Sequence, residues 1–344
     1  MKKVILIGRI NRGHQPIGGE TAKNQALMAE LKKHCQVTAL DFYRNKQRPW
    51  IFLQTLWALL SQPEATIILS TTAKNIYPLL KAFKMLGIKR NIVHWIIGGA
   101  FGQIVKSGRY NIDVLNIAHW HLAESHKMVN ELTACGLKNV RYVPNFRQFP
   151  AFTSNSTRSA DYCRFVFMSR IMKEKGVDEI LKSVSALNDR QLQNRFNVDF
   201  FGRMDETYRK EVEEKIERLP NVKYHGMLDL TCSKGYEDLA TYDAMLFPTY
   251  HQSEGFAGAI IDAYVAGVPV VASDWGHNRE TVVDSKTGII IPARDTARLT
   301  RIMEDVIEGR IDLNRLSEGA RQAAETYRAD KVLNDVFLKE IGVL

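Results

Sequence analysis

The sequence is poor in cysteine and has no apolar run long enough to cross a membrane. Its four cysteines lie far apart and form no Cys-x-x-Cys pair: Cys35, Cys135, Cys163 and Cys232. This spacing argues against a disulfide framework and a zinc site, and it is typical of reduced thiols in a cytoplasm. The nearest approach to a transmembrane helix, residues 50–60, is far shorter than the roughly 20 apolar residues required. The apolar start of the chain is interrupted by Arg9, which favours a first β-strand over a signal peptide.

Charge is unevenly distributed along the chain. Residues 1–150 contain 21 Lys and Arg against 7 Asp and Glu, a net charge of +14. Residues 151–344 contain 26 against 31, a net charge of −5. A basic half beside an acidic half suggests that one domain meets an anionic surface. Nucleic acid and an anionic membrane leaflet are both candidates for that surface.

Short apolar runs alternate with longer amphipathic runs, a pattern typical of parallel β-sheets covered by helices on both faces. The length of 344 residues allows two such domains. Residues 144–162 are rich in Pro, Ser, Thr and Asn and predict a linker between them. The sequence therefore predicts an α/β chain of two Rossmann-like, doubly wound domains with a cleft, residues 1–150 and 151–320, followed by an amphipathic helix to residue 344. The predicted strands are 4–8, 36–40, 66–70, 92–97, 119–125, 140–144, 163–169, 197–202, 221–226, 244–248, 268–273 and 288–292.

Ligands of such sheets bind outside the carboxyl ends of the strands, so functional residues are expected in the loops that follow strands. Gly18 and Gly19 precede a helix and would let an anion approach its N-terminus, although a plain tight turn fits equally well. Arg170 and Lys175 follow the strand at 163–169 and suit a diphosphate, although solvated surface charges would look the same. Glu254 and Asp262 could each accept hydrogen bonds from a polyol; the alternative is two unrelated carboxylates.

Taken together, these stretches resemble glycosyltransferase family 4, the retaining sugar transferases of the GT-B fold. The resemblance covers most of the chain and is strongest over residues 163–293. It is carried by GGETAKN, ESHKMVNELTACGLKNVRYVPN, FMSRIMKEKGVDEIL, FFGRMDE, NVKYHGM and the long segment YDAMLFPTYHQSEGFAGAIIDAYVAGVPVVASDWGHNRETVVDSKTGIIIPARD. The resemblance implies two Rossmann-like domains, with residues 321–344 packing back toward the first of them.

The resemblance also implies roles for individual residues. Arg170 and Lys175 would hold the donor diphosphate, and Glu254 would contact hydroxyl groups of the donor sugar. Asp262 would take the place of a second glutamate that binds the ribose. The remaining implied residues flank these groups: Gly255, Phe256 and Ala257 along the donor sugar and phosphate, Met227 and Leu228 beside the base, and Gly18, Gly19, Gly98 and Gly99 on the acceptor side.

Three positions depart from the family pattern. The second carboxylate is Asp262, one methylene shorter than glutamate. Gly276 is followed by His277 rather than a second glycine, with Glu280 after it. His94 lies inside a predicted strand rather than after it, so activation of the acceptor by a histidine of the first domain is in doubt. No Asp-x-Asp triplet occurs, and the cationic pair could stabilise the leaving diphosphate, so the prediction is that no metal is required.

The basic first domain fits a lipid-linked acceptor at an anionic leaflet, and the expected location is the cytoplasmic face of a membrane. Two stretches combine cations with apolar residues, 46–60 and 79–91. The alternative is that both are core helices with solvated charges. Rival functions are a non-catalytic sugar-binding or membrane-binding protein and a nucleotide-sugar epimerase. A nucleic-acid partner is not expected, because the basic half has no recognisable binding motif.

Overall fold

The computed structural model describes residues 2–153 and 161–344 and divides the chain into two compact units. Unit 1 comprises Met1–Gln148 and Tyr327–Leu344, and unit 2 comprises Phe149–Thr326. The sequence-based boundaries were residues 150, 320 and 321. Part of the predicted linker, residues 154–160, lies outside the described residues. Among the residues described, none of the helices is both long and apolar enough to span a bilayer.

Unit 1 contains a parallel six-stranded sheet of order β2-β1-β3-β4-β5-β6. Its strands are β1 Lys3–Gly8, β2 Gln36–Asp41, β3 Thr66–Thr72, β4 Ile92–Ile97, β5 Trp120–Ala123 and β6 Val140–Tyr142. Its helices in the first segment are α1 Gly19–His34, α2 Ile51–Ser61, α3 Ala73–Met85, α4 Phe101–Lys106, α5 Ile112–Leu115 and α6 His126–Ala134. A 3-10 turn covers Asn45–Gln47.

Unit 2 contains a second parallel six-stranded sheet, of order β12-β11-β10-β7-β8-β9. Its strands are β7 Cys163–Met168, β8 Phe196–Phe201, β9 Val222–Tyr224, β10 Ala244–Phe247, β11 Val270–Ser273 and β12 Gly288–Ile291. Its helices are α7 Val177–Asp189, α8 Arg209–Glu217, α9 Ser233–Leu239, α10 Gly258–Val265, α11 Asn278–Thr281, α12 Thr296–Ile307 and α13 Leu313–Ala324. A 3-10 turn covers Lys173–Lys175, and another, Glu325–Tyr327, runs from the last residues of unit 2 to the first residue of the second segment of unit 1.

Both sheets are covered on two faces, which explains why their strands are continuous apolar runs. In unit 2, Phe165, Phe167 and Phe200 are fully buried on β7 and β8. In unit 1, Ile67 and Leu69 of β3 belong to one core cluster, whereas Ile68 between them belongs to a second. This alternation of neighbouring side chains between two cores is the signature of a strand at the centre of a three-layer fold.

The last segment of the chain is broken into short helices, so the long amphipathic helix expected to residue 344 is wrong. The helices are α14 Ala329–Val332 and α15 Asp335–Glu340. Arg328 is extended and forms a bridge with Arg147, which ends the preceding helical turn. Asn334 then caps α15 by accepting a hydrogen bond from the backbone N–H of Phe337 at 3.0 Å.

This segment completes the core of unit 1. Phe337 lies against the ring of Trp95 with centroids 6.1 Å apart, and Phe146 lies 5.7 Å from the same ring. Asn91 donates from its side chain to the carbonyl of Ile341 at 2.7 Å. Because Phe146 is fully buried, the first residues of the predicted linker are core residues of unit 1 rather than linker.

Candidate functional site

The loops after β7, β10 and β11 lie side by side at one edge of the second sheet. The three strands are neighbours in the sheet order and run parallel, so their carboxyl ends meet at the same edge. Polar groups that follow these strands are therefore brought together although they are far apart in sequence. Lys175 and Glu254, separated by 79 positions, are joined there by a hydrogen bond of 2.5 Å.

Glu254 is the centre of this cluster. Its Oε2 accepts from Lys175 Nζ and, at 2.7 Å, from the hydroxyl of Thr249. The three residues are at least nine-tenths buried. Both bonds go to Oε2, and within the described residues Oε1 accepts none, so one carboxylate oxygen keeps its capacity for a hydroxyl donor. Lys175 Nζ also lies 5.5 Å from the centre of the Phe247 ring, which adds a cation–π contact.

Two glycines allow these loops to approach one another. Gly176 has a φ of 79°, and a Cβ placed there would lie 2.3 Å from the carbonyl oxygen of Pro248. Gly276 has a φ of 58°, and a Cβ there would lie 2.9 Å from the carbonyl oxygen of Glu254. Only glycine combines the left-handed backbone with such close backbone contact. The positions of Lys175 and Glu254 therefore depend on glycines in the neighbouring loops.

Arg170 follows β7 and is exposed. Among the described residues it forms no hydrogen bond or ion pair, so its guanidinium group remains open to a ligand. Burial lowers the pKa of His251, and the positive charges of Lys175 and Arg170 lower it further against the opposing charge of Glu254. Lys175 and Arg170 are thus both near enough to His251 to affect its pKa, so the two cations lie at the same edge of the sheet.

Asp262 is buried on α10 and belongs to a different set of contacts. Its Oδ1 accepts from the hydroxyl of Tyr236 on α9 at 2.9 Å. Because α10 begins at Gly258, Asp262 lies just over one turn into the helix. The ring of Phe152 stacks on Tyr236 with centroids 5.7 Å apart, so Asp262 is supported by a tyrosine that the sequence patterns did not indicate.

The other predicted donor-side residues lie in two loops of unit 2. Gly255, Phe256 and Ala257 connect Glu254 to α10, and Ala257 is its N-cap. Phe256 is buried, whereas its two neighbours are half-buried. Met227 and Leu228 follow β9, and Met227 is 52% exposed. An exposed apolar side chain after the last strand of this edge is available to contact a planar base.

The N-cap and the residues of α11, which follow β11, hold buried polar atoms that have no hydrogen-bond partner among the described residues. They are Nδ1 of His277, Oδ1 of Asn278 and Oγ1 of Thr281. His277 Nδ1 lies 3.6 Å from Glu280, beyond hydrogen-bond distance. Buried polar groups are nearly always paired, so an unpaired set beside Gly276 is consistent with a place for polar ligand atoms. His277 and Glu280 were noted from the sequence; Asn278, Thr281 and Thr249 were missed, although Thr249 is the second residue after β10.

In unit 1 the predicted acceptor-side glycines follow β1 and β4. Gly18 and Gly19 are exposed at the start of α1, and a Cβ at either position would meet open space. Gly98 has a φ of 86° and Gly99 follows it, so the turn after β4 requires glycine at the first of the two positions. This group also includes residues that the sequence reasoning missed: Lys23 on α1 forms a buried ion pair with Glu124, directly after β5.

His94 is inside β4, as the sequence predicted. It is fully buried, and its Nδ1 lies 3.0 Å from Nδ1 of His121 on β5. Burial lowers the pKa of His94 well below its usual value and lowers the pKa of His121 to about 4. Both rings are therefore neutral at pH 7. Among the described residues no group of three or more His, Cys, Asp and Glu side chains could hold a metal ion.

The second half of the chain matches a known family. Residues 150–323, just over half of the chain, match the glycosyl transferases group 1. The chain belongs to this family. The match contains Arg170, Lys175, Glu254 and Asp262, so every donor-side residue singled out above lies in the region that defines the family.

Sequence relatives of this family member are distant. It is 27% identical, over 40% of its length, to an uncharacterised protein of the cps region of Klebsiella pneumoniae. It is 25% identical, over 48% of its length, to the D-inositol 3-phosphate glycosyltransferase of Streptomyces avermitilis. The chain spans only 35% and 36% of the length of these two curated relatives.

Solved structures resemble this glycosyl transferases group 1 chain over its whole length. HepE of Anabaena, in complex with UDP-glucose, has a TM-score of 0.71 at 16% identity, with 100% of both chains covered. Sucrose-phosphate synthase of Thermosynechococcus elongatus has a TM-score of 0.76 at 14% identity, again with 100% of both chains covered. At these identities the likeness shows the fold alone. The predicted GT-B fold, with two Rossmann-like sheets, is confirmed.

Proposed function

We propose that the chain is a retaining hexosyltransferase that moves a hexose from a nucleotide sugar, most simply UDP-linked, to a glycan acceptor. The observation that carries the proposal is the buried cluster of Lys175, Thr249 and Glu254 at the carboxyl edge of the second sheet. It lies within the segment that matches the family. HepE, a neighbour in fold, is described in complex with UDP-glucose, which supports the choice of donor.

The two cations would bind the diphosphate in different ways. Arg170 is exposed and presents a planar fork that can bind a phosphate through two N–H groups. Lys175 has three donor hydrogens, and the bond to Glu254 uses one of them, so donors remain for the phosphate. Glu254 meanwhile orients Lys175 and offers its free Oε1 to a sugar hydroxyl.

In the proposed reaction the bond between the anomeric carbon and the diphosphate oxygen breaks, and a bond from that carbon to an acceptor oxygen forms on the same face. The acceptor proton passes to the leaving phosphate oxygen. Negative charge grows on the diphosphate, where Arg170 and Lys175 stabilise it; removal of one such preorganised group elsewhere costs about 3–4 kcal/mol of barrier. The proposal assigns no role to a metal ion.

The remaining donor contacts are assigned by position. Asp262, held by Tyr236, would accept from the ribose hydroxyls. Gly255, Phe256 and Ala257 would follow the sugar and phosphate, and Met227 and Leu228 would flank the base. The unpartnered atoms of His277, Asn278 and Thr281 would add donors and acceptors near the sugar.

The acceptor and pathway belong to the same proposal. A lipid-linked glycan at the cytoplasmic face of a membrane is the proposed acceptor, with Gly18, Gly19, Gly98 and Gly99 on its side. The relative from a cps region, and a fold neighbour described as a lipopolysaccharide outer core galactosyltransferase, support synthesis of a bacterial surface polysaccharide.

The test is hydrolysis of a panel of nucleotide sugars in EDTA, together with the shift of the thermal midpoint that each sugar produces. We expect one nucleotide sugar to stabilise the protein and to be slowly hydrolysed. Glu254→Gln should reduce hydrolysis by roughly 10²-fold or more, because the neutral amide loses the charge that orients Lys175. Glutamine has the same shape and can still accept from Thr249, so folding should persist.

Glu318→Gln is the matched control, since Glu318 is an exposed carboxylate on α13 of the same unit. Its hydrolysis rate should equal that of the wild type. If no nucleotide sugar binds, or if Glu254→Gln keeps the wild-type rate, the proposed function is wrong. Conversion of the donor to another nucleotide sugar would identify an epimerase instead.

A further inference from the structure

The helix α2 is apolar on all sides, but only one of its faces is buried. Ile51, Thr55 and Ala58 form the buried face. On the opposite side four apolar residues recur at intervals of three and four, which places them in one stripe. Their side chains are largely exposed: Leu53 71%, Leu56 48%, Trp57 68% and Leu60 73%. A helix that is hydrophobic all round is normally covered all round, so this stripe predicts a partner.

Further exposed apolar residues continue the stripe. Trp50 and Phe52, at the start of α2, are 53% and 56% exposed. At the other end Arg90 donates to the carbonyl groups of Leu59, at 3.0 Å, and of Gln62. Arg90 thereby ties the end of α2 to the loop after α3. Two more exposed apolar residues lie at the end of α3 and just after it: Met85 79% and Leu86 66%.

Two residues of the second stretch, 79–91, are not available to a partner. Phe83 is 3% exposed and packs in the core, so it cannot contact a partner. The guanidinium group of Arg90 donates hydrogen bonds to main-chain carbonyls, so Arg90 has a structural role. The cations that remain on this stretch are exposed lysines: Lys81, Lys84 and Lys89.

The charge around the stripe has one sign. Residues 42–112 contain ten Lys and Arg and a single acid, Glu64. Lys46 and Arg48 immediately precede α2 and are exposed. A second copy of the chain seated on the stripe would bring these like charges together, whereas an anionic lipid surface would neutralise them and cover the apolar side chains at once. Tryptophan at the rim suits the boundary between headgroups and acyl chains.

We infer that α2 lies in the interface of an anionic lipid bilayer, with Leu53, Leu56, Trp57 and Leu60 directed into the acyl region. Helices of this kind insert their apolar face about 5–10 Å below the headgroups. Lys46, Arg48, Lys81 and Lys84 then contact lipid phosphates. The inference rests on the proposed function only for the identity of the acceptor, because a lipid-linked acceptor is presented at the same surface.

The test is flotation of the full chain with vesicles of phosphatidylcholine and phosphatidylglycerol, and with vesicles of phosphatidylcholine alone. The wild type should float with the first and bind the second far more weakly. The double variant Leu53→Gln/Trp57→Gln should lose roughly tenfold or more in vesicle affinity, because two apolar side chains no longer leave water. Both positions are exposed, so the fold should be unaffected.

Three further measurements test whether the binding is specific to this surface. Val336→Gln changes a side chain that is 76% exposed on α15 of the same unit, and it should bind like the wild type. Lys46→Gln and Lys84→Gln should each weaken binding about fivefold, with the loss fading at high salt. The tryptophan fluorescence of the wild type should shift to the blue on binding, and Trp57→Phe should reduce that shift.

Equal vesicle affinity for the wild type and Leu53→Gln/Trp57→Gln would overturn the inference. A second result would also overturn it: neither protein binds vesicles, and sedimentation velocity shows a dimer for the wild type but a monomer for the double variant. The stripe would then contact a second copy of the chain. Donor hydrolysis separates this inference from the proposed function. Leu53→Gln/Trp57→Gln should hydrolyse donor at the wild-type rate, and Glu254→Gln should still float with vesicles.

Discussion

At the scale of single residues, the geometry of the candidate site depends on Gly176. This residue ends the turn that carries Lys175 and begins α7. Its left-handed backbone and its contact with Pro248 set the distance between the loop after β7 and the loop after β10. The salt bridge between Lys175 and Glu254 follows from that distance. A small change at Gly176 should therefore affect both stability and the site.

We expect Gly176→Ala to destabilise unit 2 by about 2–4 kcal/mol, since the left-handed conformation and the clash with Pro248 each contribute 1–2 kcal/mol or more. Gly309→Ala is the matched control. Gly309 has a φ of 70° but open space where a Cβ would lie, so only the conformational part of about 1 kcal/mol applies. Thermal unfolding measures both variants. Equal losses in the two would show that the contact with Pro248 is unimportant.

Sequence alone located the charged residues of the site but not their partners. Arg170, Lys175 and Glu254 follow strands and belong to motifs, so position and residue type were enough to single them out. Thr249 and Tyr236 are common residue types at unremarkable spacings, and their roles arise from contacts across 5 and 26 positions that only the folded chain defines. Asp262 was identified as a site residue, but nothing in the sequence indicated that a tyrosine holds it.

At the scale of elements, the neighbouring strands β4 and β5 bury two histidines that face each other. The register pairs His94 with His121, so both rings occupy the same layer of the sheet. Burial keeps both neutral, and the neighbouring His121 and Lys23 lower the pKa of His94 further. The pair therefore makes this part of unit 1 sensitive to acid.

We expect the free energy of unfolding of unit 1 to fall as the pH falls below about 6.5, where unfolded histidines bind protons. In the folded state the pKa of His121 is about 4 and that of His94 is well below its usual value, so the unfolded state binds more protons in this window. The slope should approach about 1.4 kcal/mol per pH unit for each histidine. Thermal midpoints measured across this pH range provide the test.

The double variant His94→Leu/His121→Leu should flatten that pH dependence, because it removes both titrating groups and their unpaired Nε2 atoms together. His14→Gln is the control, since His14 is exposed and its replacement should leave the slope unchanged. A wild-type slope in the double variant would assign the acid sensitivity to other groups.

Sequence patterns predicted the elements of both sheets well and the last helix badly. Each of the twelve predicted strands lies within two residues of an observed strand at both ends, because buried parallel strands are continuous apolar runs with clear ends. The segment after α13 has helical periodicity, but Arg328 pairs with Arg147 of a distant strand-like stretch. Periodicity reports only local preference, so it could not reveal that break.

At the scale of the whole molecule, unit 1 is built from two separate parts of the sequence. Tyr327–Leu344 contributes buried apolar side chains to the same core as β1 and β3: Leu333, Phe337, Leu338, Ile341 and Val343. The two units differ in net charge as the two halves of the sequence do. Unit 1 has 24 Lys and Arg against 10 Asp and Glu, or +14, and unit 2 has 23 against 28, or −5.

We expect a chain ending at Thr326 to lose the fold of unit 1 while unit 2 stays folded. The five buried side chains contribute about 1.5–3 kcal/mol each, which together is comparable to the whole stability of a domain, about 5–15 kcal/mol. Limited proteolysis should leave a fragment of about residues 149–326. The tryptophan fluorescence should shift to the red, because Trp95 becomes exposed to water. Val336→Gln, which changes an exposed residue of the removed segment, should leave both readouts unchanged. Survival of unit 1 in the truncated chain would contradict the prediction.

The discontinuity of unit 1 also sets an order for folding during synthesis. Residues 327–344 leave the ribosome after residues 149–326, so unit 2 has its complete sequence before unit 1 does. Until then Trp95 and its neighbours lack the side chains that cover them, and a nascent unit 1 presents open apolar surface there in addition to the exposed face of α2. The need for protection by a chaperone should therefore be greatest at the basic unit, although its residues are the first to be made.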